Sequence, residues 1–152
     1  MTAMSITAIC EKYNIALCYL FGSQQKEGMA LLQGERLTVA DSASDIDFAV
    51  LFKDVPQNPL DVYARLSLDL QDLILPFKAD LLFLHEVDHL VQFEAISGAN
   101  VYSFDDIFKE TYEEKVMIFA SDENEIFKLN ERDFFEAIEN GYFEFEYKAD
   151  RR

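Results

Sequence analysis

Apolar residues alternate along this chain between continuous runs and helical spacing. Ile15-Ala-Leu-Cys-Tyr-Leu-Phe21 is apolar at every position, the pattern of a strand covered on both faces. Asp45 to Phe52 reads as a second strand, closed by the turn cluster Lys53-Asp-Val-Pro56, and Lys78 to Leu84 as a third. Between them Leu60, Tyr63, Leu66, Leu70, Leu73 and Ile74 recur at three- and four-residue intervals. That spacing predicts an amphipathic helix stopped at Pro76. Ser5 can cap a helix reaching about Asn14, residues 24–33 can be helical, and Gly34 to Ser44 reads as loop. Residues 86–97 predict another helix, with Gly98 as its left-handed terminator. A brief strand at Val101–Ser103 precedes two expected helices, 106–120 and 131–140, the second followed by Gly141. Strands alternating with helices predict an α/β or α+β domain.

The length of 152 residues supports a single domain. Against 13 basic residues stand 29 acidic ones, a formal charge of −16. Such a chain is a poor general binder of DNA or RNA, where basic side chains must displace counterions. A small anion held through metal ions in one pocket remains compatible with that charge. No apolar run nears the roughly 20 residues of a membrane span, and the N-terminus lacks the basic-then-apolar layout of a secretion signal. A cytoplasmic protein is therefore expected, with Cys10 and Cys18 as reduced, small apolar residues. Residues 105–152 carry 15 acids and seven bases, a net −8, interleaved with Phe127, Phe134, Phe135, Tyr142, Phe143, Phe145 and Tyr147. This tail is either a surface for a basic, partly apolar partner or a solvated face over core aromatics.

Chemistry concentrates at the strand ends. Gly22-Ser23 follows the first strand, Asp45-Ile-Asp47 opens the second, and Asp80 lies in the third. Side chains two apart on a strand share a face, so Asp45 and Asp47 can converge. Clustered carboxylate oxygens suit Mg²⁺, which takes its remaining ligands from water and substrate phosphates. A Gly-Ser turn where strand gives way to helix offers backbone N–H groups and a hydroxyl to phosphate oxygens. A third carboxylate can complete a second metal position and accept a proton, and together these are the parts of two-metal phosphoryl or nucleotidyl transfer. Each fragment alone also reads as turn and cap residues at the ends of buried strands.

Leu20-Phe21-Gly22-Ser23, Ser44-Asp45-Ile46-Asp47-Phe48-Ala49-Val50 and Lys78-Ala79-Asp80-Leu81 together resemble the minimal nucleotidyltransferase (MNT) family of the DNA polymerase β superfamily. The resemblance covers about residues 1–105, leaving 106–152 as a helical acidic tail of the same domain. It implies a small mixed β-sheet with flanking helices, the nucleotidyltransferase fold. It assigns the triphosphate of ATP to Gly22 and Ser23, two Mg²⁺ ions to Asp45 and Asp47, and the catalytic metal and nucleophile deprotonation to Asp80. The base that commonly follows Gly-Ser is displaced here to Lys26, and Glu27 to Ala43 reads as an insertion beside the site. Many stand-alone members are antitoxins that move AMP from ATP to a tyrosine of an all-helical HEPN-type ribonuclease toxin. The resemblance thus implies an adenylyltransferase working in a hetero-oligomer. Its rivals are a non-catalytic antitoxin of the same fold and a nucleotidyltransferase acting on a small molecule.

His85-Glu86-Val87-Asp88-His89 also matches H-E-x-x-H, the zinc-peptidase signature. That motif needs a helix interior so that both imidazoles share a face, whereas His85 falls at a strand exit. The plainer reading is a helix N-terminus with Glu86 and Asp88 set favourably against its dipole.

Overall fold

A computed structural model describes residues 4–35 and 45–139, with side chains through residue 122. Its elements run α1 (Ile6–Lys12), β1 (Ile15–Phe21), α2 (Gln25–Leu32), β2 (Asp45–Phe52), α3 (Pro59–Ile74), β3 (Lys78–Phe83), a 3₁₀ turn at Leu84–Glu86, α4 (His89–Ile96), β4 (Ala99–Ser103) and α5 (Asp106–Glu139). The four strands form one mixed sheet in the order β3-β2-β1-β4. β1 pairs antiparallel with β2 and β4, while β2 and β3 are parallel. That parallel pair needs a crossover, which α3 supplies.

Helices cover both faces, which is why β1 is apolar throughout. On one face Ile9 and Cys10 of α1 and Leu66, Leu70 and Ile74 of α3 pack on Cys18, Leu20, Ile46, Phe48 and Val50. On the other, Ala95 of α4 joins Leu17, Tyr19 and Ala49, with Phe108 and Tyr112 of α5 against them. The Tyr19 hydroxyl donates to Glu113 Oε2 at 2.6 Å, and Lys109 Nζ lies 3.4 Å from the same oxygen. The central strand is thereby tied to α5. Cys10 and Cys18 are free, fully buried thiols that face each other between α1 and β1. The Cys10 thiol and burial push the Cys18 thiol well above its usual range.

Both long strands match their sequence-based bounds, and the crossover helix starts one residue earlier, at Pro59. Four expectations are corrected. The first helix stops at Lys12, because Asn14 turns the chain at φ 58°, a conformation asparagine tolerates. The helix expected at 86–97 is instead a 3₁₀ turn followed by α4, whose true N-cap is Asp88, accepting from the Val91 N–H at 3.0 Å. Gly98 is not left-handed: Gly22 and Gly34 are the positive-φ glycines among the described residues. Gly98 serves close approach, since a Cβ there would run into the Leu20 carbonyl and sit 2.9 Å from the Phe21 Cβ. Finally, the two helices expected after residue 105 are one, α5, capped by Asp105, which accepts from the Phe108 N–H at 2.8 Å. The residues between the two expected helices, 121–130, hold no Gly or Pro to enforce a break. The expected insertion begins inside α2, its part from residue 36 onward lies outside the described residues, and the side chains of the aromatics from Phe127 onward are likewise outside them.

Candidate active site

The site forms where β1 ends and β2 and β3 begin. Phe21 is in register with Asp47, so the chain leaves β1 directly beside that carboxylate. Gly22 makes the turn at φ 83°, and a Cβ there would collide with Asp47 Oδ2. Only glycine fits both the left-handed backbone and the contact. Ser23 follows, exposed, before α2 begins at Gln25. No side-chain hydrogen bond caps the first turn of α2, whose Gln25 N–H donates to the Gly22 carbonyl at 3.4 Å, and the start of a helix is an end that favours an anion. Lys26 is exposed in that same turn.

Asp45 and Asp47 alternate with the buried Ile46 and Phe48, so both project from the α4–α5 face of β2. The parallel register sets Asp47 opposite Asp80 and Asp45 opposite Lys78. All four side chains therefore share one face at one end of the sheet. Asp47 is half-buried, and its carboxyl is pushed up to about 6. Burial is the main cause, followed by the charge of Asp80 and a side-chain hydrogen bond with it, then by Asp45 and Glu94. Carboxylates held this close repel one another and favour a proton or a cation between them.

Sequence reasoning brought Gly22, Ser23, Asp45, Asp47 and Asp80 to one place, and the structure puts them there. It missed Glu94, which acts on Asp47 from α4, because only the packing of α4 over the sheet brings the two near. It quoted Lys78 without giving it a role.

The donor set is all oxygen, as Mg²⁺ requires. Among the described residues no three His, Cys, Asp or Glu side chains are drawn around a single point as a bound ion would draw them. Asp47 and Asp80 share a side-chain hydrogen bond, with Asp45 on the same face, so the chemistry of the donor set fits divalent cations.

The two histidines stand elsewhere. His85 lies in the 3₁₀ turn, its ring stacked on Phe83 at 5.7 Å between centroids. His89 is the first residue of α4 and stacks on Phe119 of α5 at 5.0 Å. They line a cavity of about 350 Å³ with Phe52, Gln92, Tyr112 and Lys115, at the opposite end of β2 from Asp45. Because they sit on different elements, the zinc-peptidase arrangement is not built.

Comparison with known proteins follows the same geometry. The family described as polymerase beta nucleotidyltransferase matches residues 4–107. The fold is similar to that of a chain in a structure of a tri-AMPylated HEPN toxin from Shewanella oneidensis in complex with an MNT antitoxin. There the TM-score is 0.58 and the identity 18%, over 83% of this chain and 89% of that one. A second crystal structure from Shewanella oneidensis aligns with a TM-score of 0.53 at 14% identity, over 86% and 90% of the two chains. No curated protein matches the sequence. The family match spans well over half of the chain, from the first helix to the start of α5, and includes every residue of the carboxylate site; this chain belongs to the polymerase β nucleotidyltransferase family.

Proposed function

We propose that this protein is an adenylyltransferase antitoxin that moves AMP from ATP to a tyrosine hydroxyl of a HEPN-type toxin. The observation that carries the reading is the set Asp45, Asp47 and Asp80 on one sheet face, beside the Gly22 turn and the uncapped start of α2. The triphosphate lies on Gly22, Ser23 and the first turn of α2, with Lys26 as a nearby cation. Asp45, Asp47 and Asp80 hold two Mg²⁺ ions, which when bound offset the charge of the phosphates and of the acceptor oxygen. Asp80 takes the tyrosine proton as that oxygen bonds to the α-phosphorus and the bond to the departing pyrophosphate breaks. Preorganised donors and charges supply most of the stabilisation, as in other phosphoryl transfers.

The partner class is supported by the MNT–HEPN complex to which the fold is similar. It is also supported by α5, which buries Val116 and Ala120 while exposing Ile107, Met117, Ile118 and Phe119. In this reading the chain is one domain acting in the cytoplasm, and the described residues include no helix long and apolar enough to cross a membrane. The test is intact-mass analysis of a co-expressed HEPN partner incubated with ATP and Mg²⁺. A gain of AMP units is expected, slowed by about a hundredfold or more in Asp45→Asn or Asp47→Asn. A toxin silenced with no gain in mass would make the protein a steric antitoxin instead.

A further inference from the structure

The cavity lined by His85 and His89 takes no part in the transfer chemistry. Asp45 opens β2 and Phe52 closes it. A rise of about 3.3 Å per residue sets the cavity end of that strand roughly 20 Å from the carboxylates. The volume of about 350 Å³ falls within the range of pockets that enclose small organic ligands, about 300–1,000 Å³. The chain carries 29 acids against 13 bases, yet none of the described residues lining this cavity is acidic.

The packing of α4 on α5 sorts the polar groups along the cavity. Gln92 meets Tyr112 and His89 meets Phe119, so the two helices run antiparallel. At the Gln92 end the groups accept. The Gln92 amide donates to the Val87 carbonyl at 2.8 Å, which turns its oxygen toward Tyr112, and the Tyr112 hydroxyl donates to that oxygen at 2.8 Å. Both oxygens keep a lone pair for a further N–H. One helical turn along, the groups donate. Lys115 stands three residues after Tyr112, exposed and without an ion-pair partner among the described residues. The His85 and His89 rings, stacked on Phe83 and Phe119, line the same space. Phe52 and Phe108 supply its aromatic lining.

We propose that this cavity binds a nucleoside monophosphate whose base carries an exocyclic amine, adenine or cytosine. The base packs on Phe52 and Phe108 and its amine donates to Gln92 and Tyr112. The phosphate offers three free oxygens to Lys115, His85 and His89, where a carboxylate has two. The site is separate from the one that holds ATP in the transferase reading, and it stands whether or not that reading does.

Calorimetric titration of the full-length protein tests this, with EDTA present so that no cation occupies the carboxylates. The probes are AMP and CMP, their oxo counterparts IMP and UMP, and ribose 5-phosphate. AMP or CMP should bind about tenfold more tightly than its oxo counterpart and than ribose 5-phosphate, the size of one well-made hydrogen bond. Lys115→Met should weaken that binding by about tenfold and Lys115→Arg should restore most of it. Asp47→Asn should leave it unchanged, and circular dichroism should show every variant folded. No binding of AMP or CMP at millimolar concentration overturns the proposal. So does equal binding of the oxo nucleotides or of ribose 5-phosphate, which would make the cavity a general anion site. Binding lost in Asp47→Asn and kept in Lys115→Met also overturns it, since the nucleotide would then sit at the carboxylates.

Discussion

Asp47 carries the electrostatic cost of the site. Its carboxyl, pushed up to about 6 by burial and by Asp80, Asp45 and Glu94, ionises less readily folded than in an open chain, where 3.8 is ordinary. A raised acid pKa means the folded state binds more protons than the unfolded one between those values, so stability falls as pH rises from about 4 to 6 and levels off above. Removing the charge should reverse this. Asp47→Asn should match wild type in melting temperature near pH 4 and exceed it at pH 7.5. Solvent screening trims the repulsion, so a gain of about 2–4 °C is expected. Calorimetric scans at both pH values check it, and an equal difference at the two would contradict the assignment of the shift to Asp47. Much of this site was legible beforehand, because a strand repeats every two residues and glycine marks its own turn. Asp45, Asp47 and Gly22 needed nothing more, while Asp80 was singled out by its place in the third strand and by the family resemblance and meets Asp47 through the pairing of β3 with β2. Glu94 and the pairing of Lys78 with Asp45 depend on how separate elements pack, which no spacing encodes.

The elements show the same limit. β1 and β2 were readable to the residue since apolar runs begin and end at polar or glycine positions. The sequence pattern predicts helices at 106–120 and 131–140 where there is one, since a helix tolerates polar residues wherever one side faces water. Gly98 looked like a terminator, while its reason is the Leu20 carbonyl beneath it. Least visible was the treatment of the sheet edge. The Gln71 side chain of α3 donates to the Phe77 carbonyl and accepts from the Ala79 N–H at 3.0 Å. One amide thus satisfies outward-facing backbone groups where β3 begins, two residues from Asp80. Unpaired edge groups invite pairing with another chain. Gln71→Ala should cost about 1–2 kcal/mol, the usual loss when buried backbone partners go unsatisfied. Urea denaturation measures the loss, and light scattering should show added self-association. A variant with unchanged midpoint and no scattering would mean that the edge is protected by something else.

Across the whole molecule, the charge of −16 and the exposed apolar residues of α5 point toward a partner that is basic and partly apolar. Among the residues whose side chains are described, α5 buries Val116 and Ala120, and the helix continues to Glu139. Truncation after Asp122 keeps those contacts, so the shortened protein should retain its circular dichroism signal per residue. It should bind a HEPN partner more slowly and with less salt dependence. Unchanged association in a folded truncation would reduce the acidic tail to a solvated surface. The facing thiols of Cys10 and Cys18 make the molecule its own clock. A thiol reacts as its thiolate and only where reagent can reach it, so consumption of a dilute maleimide by native protein counts structural openings and nothing else. The two sulfurs also keep different time. Cys10 rides on a seven-residue helix that can lift without disturbing the sheet, whereas Cys18 sits in a strand paired on both sides. Peptide mapping of label at low denaturant should find Cys10 modified ahead of Cys18, the two rates merging only at the global unfolding midpoint.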